Sequence, residues 1–261
     1  KLDNLIKARF VEMFGDPIIN SFGIETKPMT DVCEIIDGDR GKNYPTADEF
    51  SDEGYCLFLN AKNVTVISGP TFAVDMLAKE PVALAIAGTN RKSQNLVIKA
   101  LSCDTVKLRI SKDLIGVQIC GAVKNIFAIA SGILGGLGYC ESTRAFLINE
   151  SLHDIKDLIY FMGGKPKTIL SFAGVGDLLM TCMSTKSRNY SFGYVIGNTK
   201  DKDKINDFLN NHTVEGYYTL KTVMLLLKKK NINIELISLI NDIVDYKESP
   251  EKLSEFLINK K

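Results

Sequence analysis

The chain has 261 residues, 45% of them hydrophobic and 24% charged, with 20 glycines, 7 prolines, no tryptophan and a formal charge of +1. That composition excludes a disordered chain, a collagen-like repeat and an elastic low-complexity polymer, and the length suits one large domain or two small ones. The near-neutral charge argues against non-specific phosphate binding as the main task.

Residues Leu2, Leu5, Ile6, Phe10 and Met13 recur at helical spacing, and Gly15 with Pro17 supplies stop signals. From 19 to about 63, short apolar pieces alternate with a polar loop at 37–45, and no helix of useful length fits. Segments 64–68, 82–87 and 105–110 read as strands. The last alternates Val106, Leu108 and Ile110 with Thr105, Lys107 and Arg109, which gives it one wet face. A helix over 91–101 separates two of them. After Asp113 nearly everything has helical period: 114–134, 142–162, 168–182, 201–210, 214–230, 234–246 and 250–258. Gly163-Gly164 ends one helix, and Ser249-Pro250 opens another as N-cap and first helical residue. The fold class is mainly α with a small α/β part, divided as 1–63, 64–112 and 113–261.

Lys124 is the only charged side chain between Asp113 and Glu141. On a helix its neighbours are Val117, Cys120, Gly121, Phe127 and Ala128, a face that desolvates the ammonium and lowers its pKa towards a proton-transfer range. Gly116 and Gly121 weaken that helix by about 1 kcal/mol each relative to Ala, and close approach of backbone or ligand is the usual compensation. Asp177 is the only charge between Lys167 and Lys186. Two solitary opposite charges in apolar segments meet each other or a polar ligand, as a structural ion pair or as a site. Ser187-Arg188-Asn189 offers a hydroxyl, a guanidinium fork and an amide, which suits a phosphate or polyol, although a solvated turn reads the same way. The cluster Gly132, Gly135, Gly136 and Gly138 reads as a helix–helix connection. His153 reads as a surface residue, His212 as a loop residue, and Lys228-Lys229-Lys230 as a solvated helix end.

Six cysteines (Cys33, Cys56, Cys103, Cys120, Cys140, Cys182) lie scattered without a C-x-x-C pair. The expectations are no metal site, no disulfide framework and a reducing cytoplasm. No signal peptide opens the chain, and the longest weakly polar run, 126–140, is too short and too rich in glycine to span a bilayer. Lys1 stands in what reads as mid-helix, so upstream sequence is expected. No G-x-G-x-x-G occurs: Gly136-x-Gly138 meets Glu141 at the third place, and Gly174-x-Gly176 meets Leu179.

Five motifs stand in one order: Ser68-Gly-Pro-Thr-Phe-Ala73, Gly116-Val-Gln-Ile-Cys-Gly-Ala-Val-Lys-Asn125, Gly174-Val-Gly-Asp-Leu178, Thr181-Cys-x-Ser-x-x-Ser-Arg-Asn189 and Val214-Glu-Gly216. From about residue 64 onward the chain therefore resembles the NAD(P)-dependent glycerol-3-phosphate dehydrogenases. The resemblance implies an all-helical substrate domain, like the C-terminal domain of 6-phosphogluconate dehydrogenase, behind a truncated Rossmann remnant. It implies interconversion of glycerol 3-phosphate and dihydroxyacetone phosphate for phospholipid precursors. Lys124 would move the proton at the carbinol oxygen and Asp177 would set its charge and position. Gly69, Thr71, Ser187, Arg188 and Asn189 would join them around the small phosphate substrate, while Ala73, Arg188 and Glu215 would contact NAD or NADP. The family usually reads Leu-Ile-Thr-Arg-Gly-Leu where this chain has Leu147-Ile-Asn-Glu-Ser-Leu152, so Glu150 alters the local charge balance. The first strands of the cofactor domain have no counterpart, which implies impaired turnover. A homodimer is left open, and neither membrane nor DNA is expected as a partner.

Residues 1–63 resemble the specificity subunit of a type I restriction–modification enzyme instead. The residues that carry this are Leu2-Asp-Asn-Leu-Ile-Lys-Ala-Arg-Phe-Val-Glu-Met-Phe-Gly-Asp-Pro17, Val32-Cys-Glu-Ile-Ile-Asp-Gly-Asp-Arg-Gly-Lys-Asn-Tyr-Pro45 and Phe58-Leu-Asn-Ala-Lys-Asn63. They imply a fusion with its junction near Asn63-Val64. The alternatives to a dehydrogenase are accordingly a DNA-recognition or methyltransferase-docking fragment, and a fusion without autonomous function.

Overall fold

The structure is a computed structural model, and it describes residues 64–199 and 201–260. The readings for 1–63 lie outside the described residues. Val64–Lys261 forms one compact unit.

The unit opens with a small sheet. Strand β1 (Thr65–Ser68) is followed by a short helix α1 (Ala73–Leu77), then β2 (Val82–Gly88), helix α2 (Arg91–Leu101) and β3 (Val106–Ser111). β1 pairs antiparallel with β2, Ser68 opposite Ala85, and β2 pairs parallel with β3, Val82 opposite Val106. A parallel pair needs a crossover, and α2 supplies it. Asn90 caps α2 by accepting a hydrogen bond from the Ser93 N–H at 2.8 Å. The expected wet face of β3 forms, with Lys107 and Arg109 exposed and Val106 and Leu108 half-buried on the opposite face; Ile110 departs from the pattern by being half exposed, and Arg109 stacks over the Phe172 ring at 4.5 Å. β3 is an outer strand of this sheet among the described residues, and the cover over its apolar face stops short of Ile110.

Helices follow: α3 (Leu114–Gly136), α4 (Glu141–Phe161), a short tight turn of helix at Pro166–Leu170, a loose turn at Phe172–Gly176, then α5 (Asp177–Met183), α6 (Arg188–Asn198), α7 (Lys202–Asn211), α8 (Glu215–Lys230), α9 (Glu235–Val244) and α10 (Lys252–Asn259). α3 is the axis of this unit. It is long and apolar enough to cross a membrane by length and composition, which corrects the expectation that no stretch reaches that length. Most of it is buried against protein, including Ile126, Phe127, Ile129, Ile133 and Leu134. The sheet residues Ala85 and Ala87 belong to the same core as the helices.

Three helical readings change. Segment 168–182 is not one helix: Ser171 is extended, and Gly174 leaves helical geometry at φ −87°, ψ −109°. A Cβ there would lie 2.0 Å from the Ile169 carbonyl oxygen, so the chain turns sharply before α5 begins. The glycine cluster is not a connection. Gly132 and Gly136 lie inside α3 against the backbone of α6, which answers with Gly193 and Gly197; the Cβ missing at Gly193 would meet the Ile129 carbonyl oxygen at 1.9 Å. Only Gly138, at φ +87°, serves the turn after α3. Finally, Ser249 and Pro250 precede α10 in a turn and do not cap it: Ser249 accepts from the Lys252 N–H at 3.1 Å, and the helix begins at Lys252.

Candidate active site

Lys124 projects from the middle of α3 and Asp177 opens α5. The ammonium donates to Asp177 Oδ1 at 2.5 Å, so the two solitary charges do meet. The carboxylate is 1% exposed and the Lys124 side chain 19%. The expected apolar enclosure of Lys124 is thus only partial: Val117, Cys120, Phe127 and Ala128 are buried beside it, yet the amine reaches the surface of the site. Asp177 Oδ2 accepts from the Ser68 hydroxyl at 3.0 Å, and Thr181 Oγ1 donates to the Asp177 carbonyl at 2.6 Å. Burial pushes the Asp177 carboxyl above the ordinary carboxylate range, and Lys124, Ser68 and Thr181 pull against that rise. Two thiols flank the pair. Burial drives Cys120 up to about 12 and Cys182 higher still, so both stay protonated.

Both puzzling glycines of α3 have a reason. A Cβ at Gly121 would stand 2.8 Å from the Ser68 hydroxyl, and one at Gly116 would stand 2.1 Å from the Asp113 carboxylate. Asp113 caps α3 through the Gly116 N–H at 3.0 Å, and its second oxygen takes the Lys165 N–H at 2.8 Å and the Thr168 hydroxyl at 2.5 Å. Burial alone would raise this carboxyl, but those three donors outweigh it and hold it below the ordinary value.

A second network starts one residue along. Asn125 Nδ2 donates to Glu215 Oε2 at 3.3 Å, and Asn189 Nδ2 donates to Asn125 Oδ1 at 3.0 Å. Asn189 Oδ1 in turn accepts the Gly216 N–H at 2.7 Å, while Arg188 approaches Glu215 at 3.9 Å. Ser187 is buried and caps α6, accepting from the Tyr190 N–H at 3.3 Å. The triplet is therefore the start of a helix and not a solvated turn.

The loop after β1 closes the other side. Gly69 lies so near β2 that a Cβ would meet the Ala83 carbonyl oxygen at 2.3 Å. Thr71 Oγ1 is buried with no hydrogen-bond partner, and Ala73 begins α1. Ser68, Thr181 and Asn125 are the residues that sequence reasoning left unassigned. Asn125 alone carried a local signal, a polar residue beside Lys124 in a run otherwise almost free of polarity. His153 and His212 stay outside the site; His212 stacks on Phe208 at 4.2 Å.

The family model for the C-terminus of NAD-dependent glycerol-3-phosphate dehydrogenase matches residues 113–255. A glycerol-3-phosphate dehydrogenase [NAD(P)+] of Staphylococcus aureus is 37% identical over 173 residues, which is 66% of this chain and 52% of that protein. The Staphylococcus carnosus protein of the same name is 35% identical over 72% of this chain and 56% of its own. Among solved structures, glycerol-3-phosphate dehydrogenase from Coxiella burnetii superposes with a TM-score of 0.72 and 33% identity, covering 76% of this chain and 61% of that one. The Dunaliella salina structure, at 23% identity and a TM-score of 0.66 over 74% of this chain and 35% of that one, shares the fold. The chain spans about half the length of the curated relatives it matches.

Proposed function

Because the chain belongs, through its C-terminal part, to the NAD-dependent glycerol-3-phosphate dehydrogenases, we propose that it carries the substrate half of an oxidoreductase interconverting glycerol 3-phosphate and dihydroxyacetone phosphate. The observation that carries this reading is the 2.5 Å Lys124–Asp177 pair beside the helix start that presents Ser187, Arg188 and Asn189. Reduction of the ketone needs a proton at the carbonyl oxygen, and the partly open Lys124 ammonium is placed to donate it. In the opposite direction the amine takes the carbinol proton. Asp177 balances the charge that Lys124 gains and loses. Arg188 offers a bidentate fork for phosphate oxygens, and the unpartnered Thr71 hydroxyl and the donor capacity of Ser187 fit the remaining polar atoms of a small polyol phosphate. Gly69 keeps the loop close enough for Thr71 to take part.

The nicotinamide end of a cofactor fits the residues present. The Arg188 guanidinium, the Glu215 carboxylate and the Asn125 amide stand together as mixed donors and acceptors, and Ala73 would join them in this reading. NAD or NADP, when bound, supplies the hydride exchange. The glycine fingerprint that would cradle its phosphates does not occur in this sequence. The 261 residues alone are thus expected to turn over poorly, since hydride transfer needs the ring held in register with the substrate carbon. Supply of phospholipid precursors, a reducing cytoplasm and a homodimer belong to the same proposal. Residues 1–63 remain a separate proposal, a fragment resembling a restriction specificity subunit, supported by their motifs and checked by salt-dependent gel shift on duplex DNA.

Two measurements test the main reading. Glycerol 3-phosphate should raise the melting temperature, and Arg188→Ala should remove that shift. NADH oxidation with dihydroxyacetone phosphate should be slow and should vanish with Lys124→Ala. No substrate-induced shift, or turnover indifferent to Lys124→Ala, overturns the assignment; silence in every assay supports the fusion without autonomous function.

A further inference from the structure

Lys124 and Thr181 both meet Asp177 Oδ1, at 2.5 Å and 3.4 Å, whereas Oδ2 has one partner among the described residues, the Ser68 hydroxyl at 3.0 Å. Ser68 is the last residue of β1, Asp177 the first of α5, and Lys124 lies mid-way along α3. The hydroxyl reaches the carboxylate only because α3 carries no side chain at Gly121, where a Cβ would stand 2.8 Å from it. A carboxylate held at one oxygen swings about its Cβ–Cγ bond; held at both, its plane is set. We propose that Ser68 is a positioning residue: by holding Oδ2 it turns Oδ1 towards Lys124, and Gly121 is retained to leave room for that bond. The inference rests on Lys124 and Asp177 being the acid/base pair, but its consequence, a Lys124 amine engaged by Asp177, is readable without turnover.

The readout is competitive acetylation of the full chain with sub-stoichiometric acetic anhydride, each lysine followed by peptide mass spectrometry. Free amine reacts and engaged ammonium does not. Among the described residues, the other titratable groups facing the pair are the buried thiols of Cys120 and Cys182, which stay neutral throughout. Lys221, paired with Asp245 and hydrogen-bonded to Asn241 far along the chain, is the internal control. Ser68→Ala should raise Lys124 acetylation about fivefold relative to Lys221, the factor corresponding to one ordinary hydrogen bond. Ser68→Thr keeps the hydroxyl, so it should retain the native rate. Gly121→Ala improves helix propensity, yet it should mimic Ser68→Ala by displacing the hydroxyl. If Ser68→Ala fails to fold, the contrast between Gly121→Ala and Ser68→Thr decides alone. Native or slower labelling in Ser68→Ala, native labelling in Gly121→Ala, or no rescue by Ser68→Thr overturns the proposal. A chain with no dehydrogenase activity still answers the question, so failure of the functional reading and failure of this one are separable.

Discussion

Replacing Lys124 by Met removes one charge of the central pair and leaves the other, Asp177, 1% exposed without a cation. Breaking a buried pair in this way costs about 3–5 kcal/mol, because the remaining charge has lost both solvent and partner. For the roughly 200-residue unit over 64–261 each kcal/mol lowers Tm by about 2–4 °C, so a fall of about 10 °C is expected. The opposite substitution is not symmetrical. In Asp177→Asn the amide oxygen still accepts from Lys124, the amide nitrogen can donate to Ser68, and the partly open ammonium keeps water; the cost should be about 1 kcal/mol or less. The pH dependence has a definite sign. Without Lys124, burial acts on Asp177 with less opposition, and its folded pKa rises further above the ordinary 3.8 of the unfolded chain. A group raised on folding contributes its stability below the unfolded value and loses it as pH rises through the folded value. The Lys124→Met deficit should accordingly be largest at neutral pH and shrink towards pH 4. Urea unfolding followed by far-UV circular dichroism, at several pH values, measures it. Equal deficits at every pH, or a Lys124→Met chain as stable as the parent at neutral pH, would refute the reasoning.

Other substitutions probe the scaffold. Gly193→Ala places a Cβ 1.9 Å from the Ile129 carbonyl oxygen; prising α3 from α6 should cost about 1–3 kcal/mol despite the better helix propensity, read as a lower urea midpoint. Asp113→Asn removes a carboxyl held below its ordinary 3.8, whose contribution is full above that value and lost as pH falls through the folded one. The variant should lose about 1.5–3 kcal/mol at neutral pH and show a flatter acid limb in pH-dependent melting. Lys260 donates to Asp154 at 2.7 Å and reaches Glu150 at 3.3 Å. Lys260→Met should leave two neighbouring carboxylates on α4 facing each other and lower stability by about 1–2 kcal/mol at neutral pH, with partial recovery on acidification.

Long periodic segments were legible from the chain alone. The strands at 64–68, 82–87 and 105–110 and the helices α3, α4 and α7 to α10 fall within a few residues of their places, because period and turn residues are local properties. The misread regions share a cause. No helix reads from the sequence over 188–198, where α6 forms, because Gly193 and Gly197 are poor helix formers that make sense only against the glycines of α3. The break at Gly174 depends on a carbonyl five residues earlier in the turn before it. The departure at Glu150 likewise looked like a charge imbalance until Lys260, more than a hundred residues later, was seen to answer it.

The amino-acid order by itself settled that Lys124 and Asp177 stand alone in apolar surroundings, and the cost of burying an unpaired charge was enough to require that each find a partner. It could not say that one oxygen of Asp177 goes to Lys124 and the other to Ser68, nor that Asn125 and Asn189 join Glu215 to the helix start at Gly216. Those assignments join residues far apart in the chain, and the direction of a hydrogen bond is set by where packed backbones place the two atoms. Composition and spacing dictated which groups needed partners, and only the packing of β1, α3 and α5 decided which partners they took.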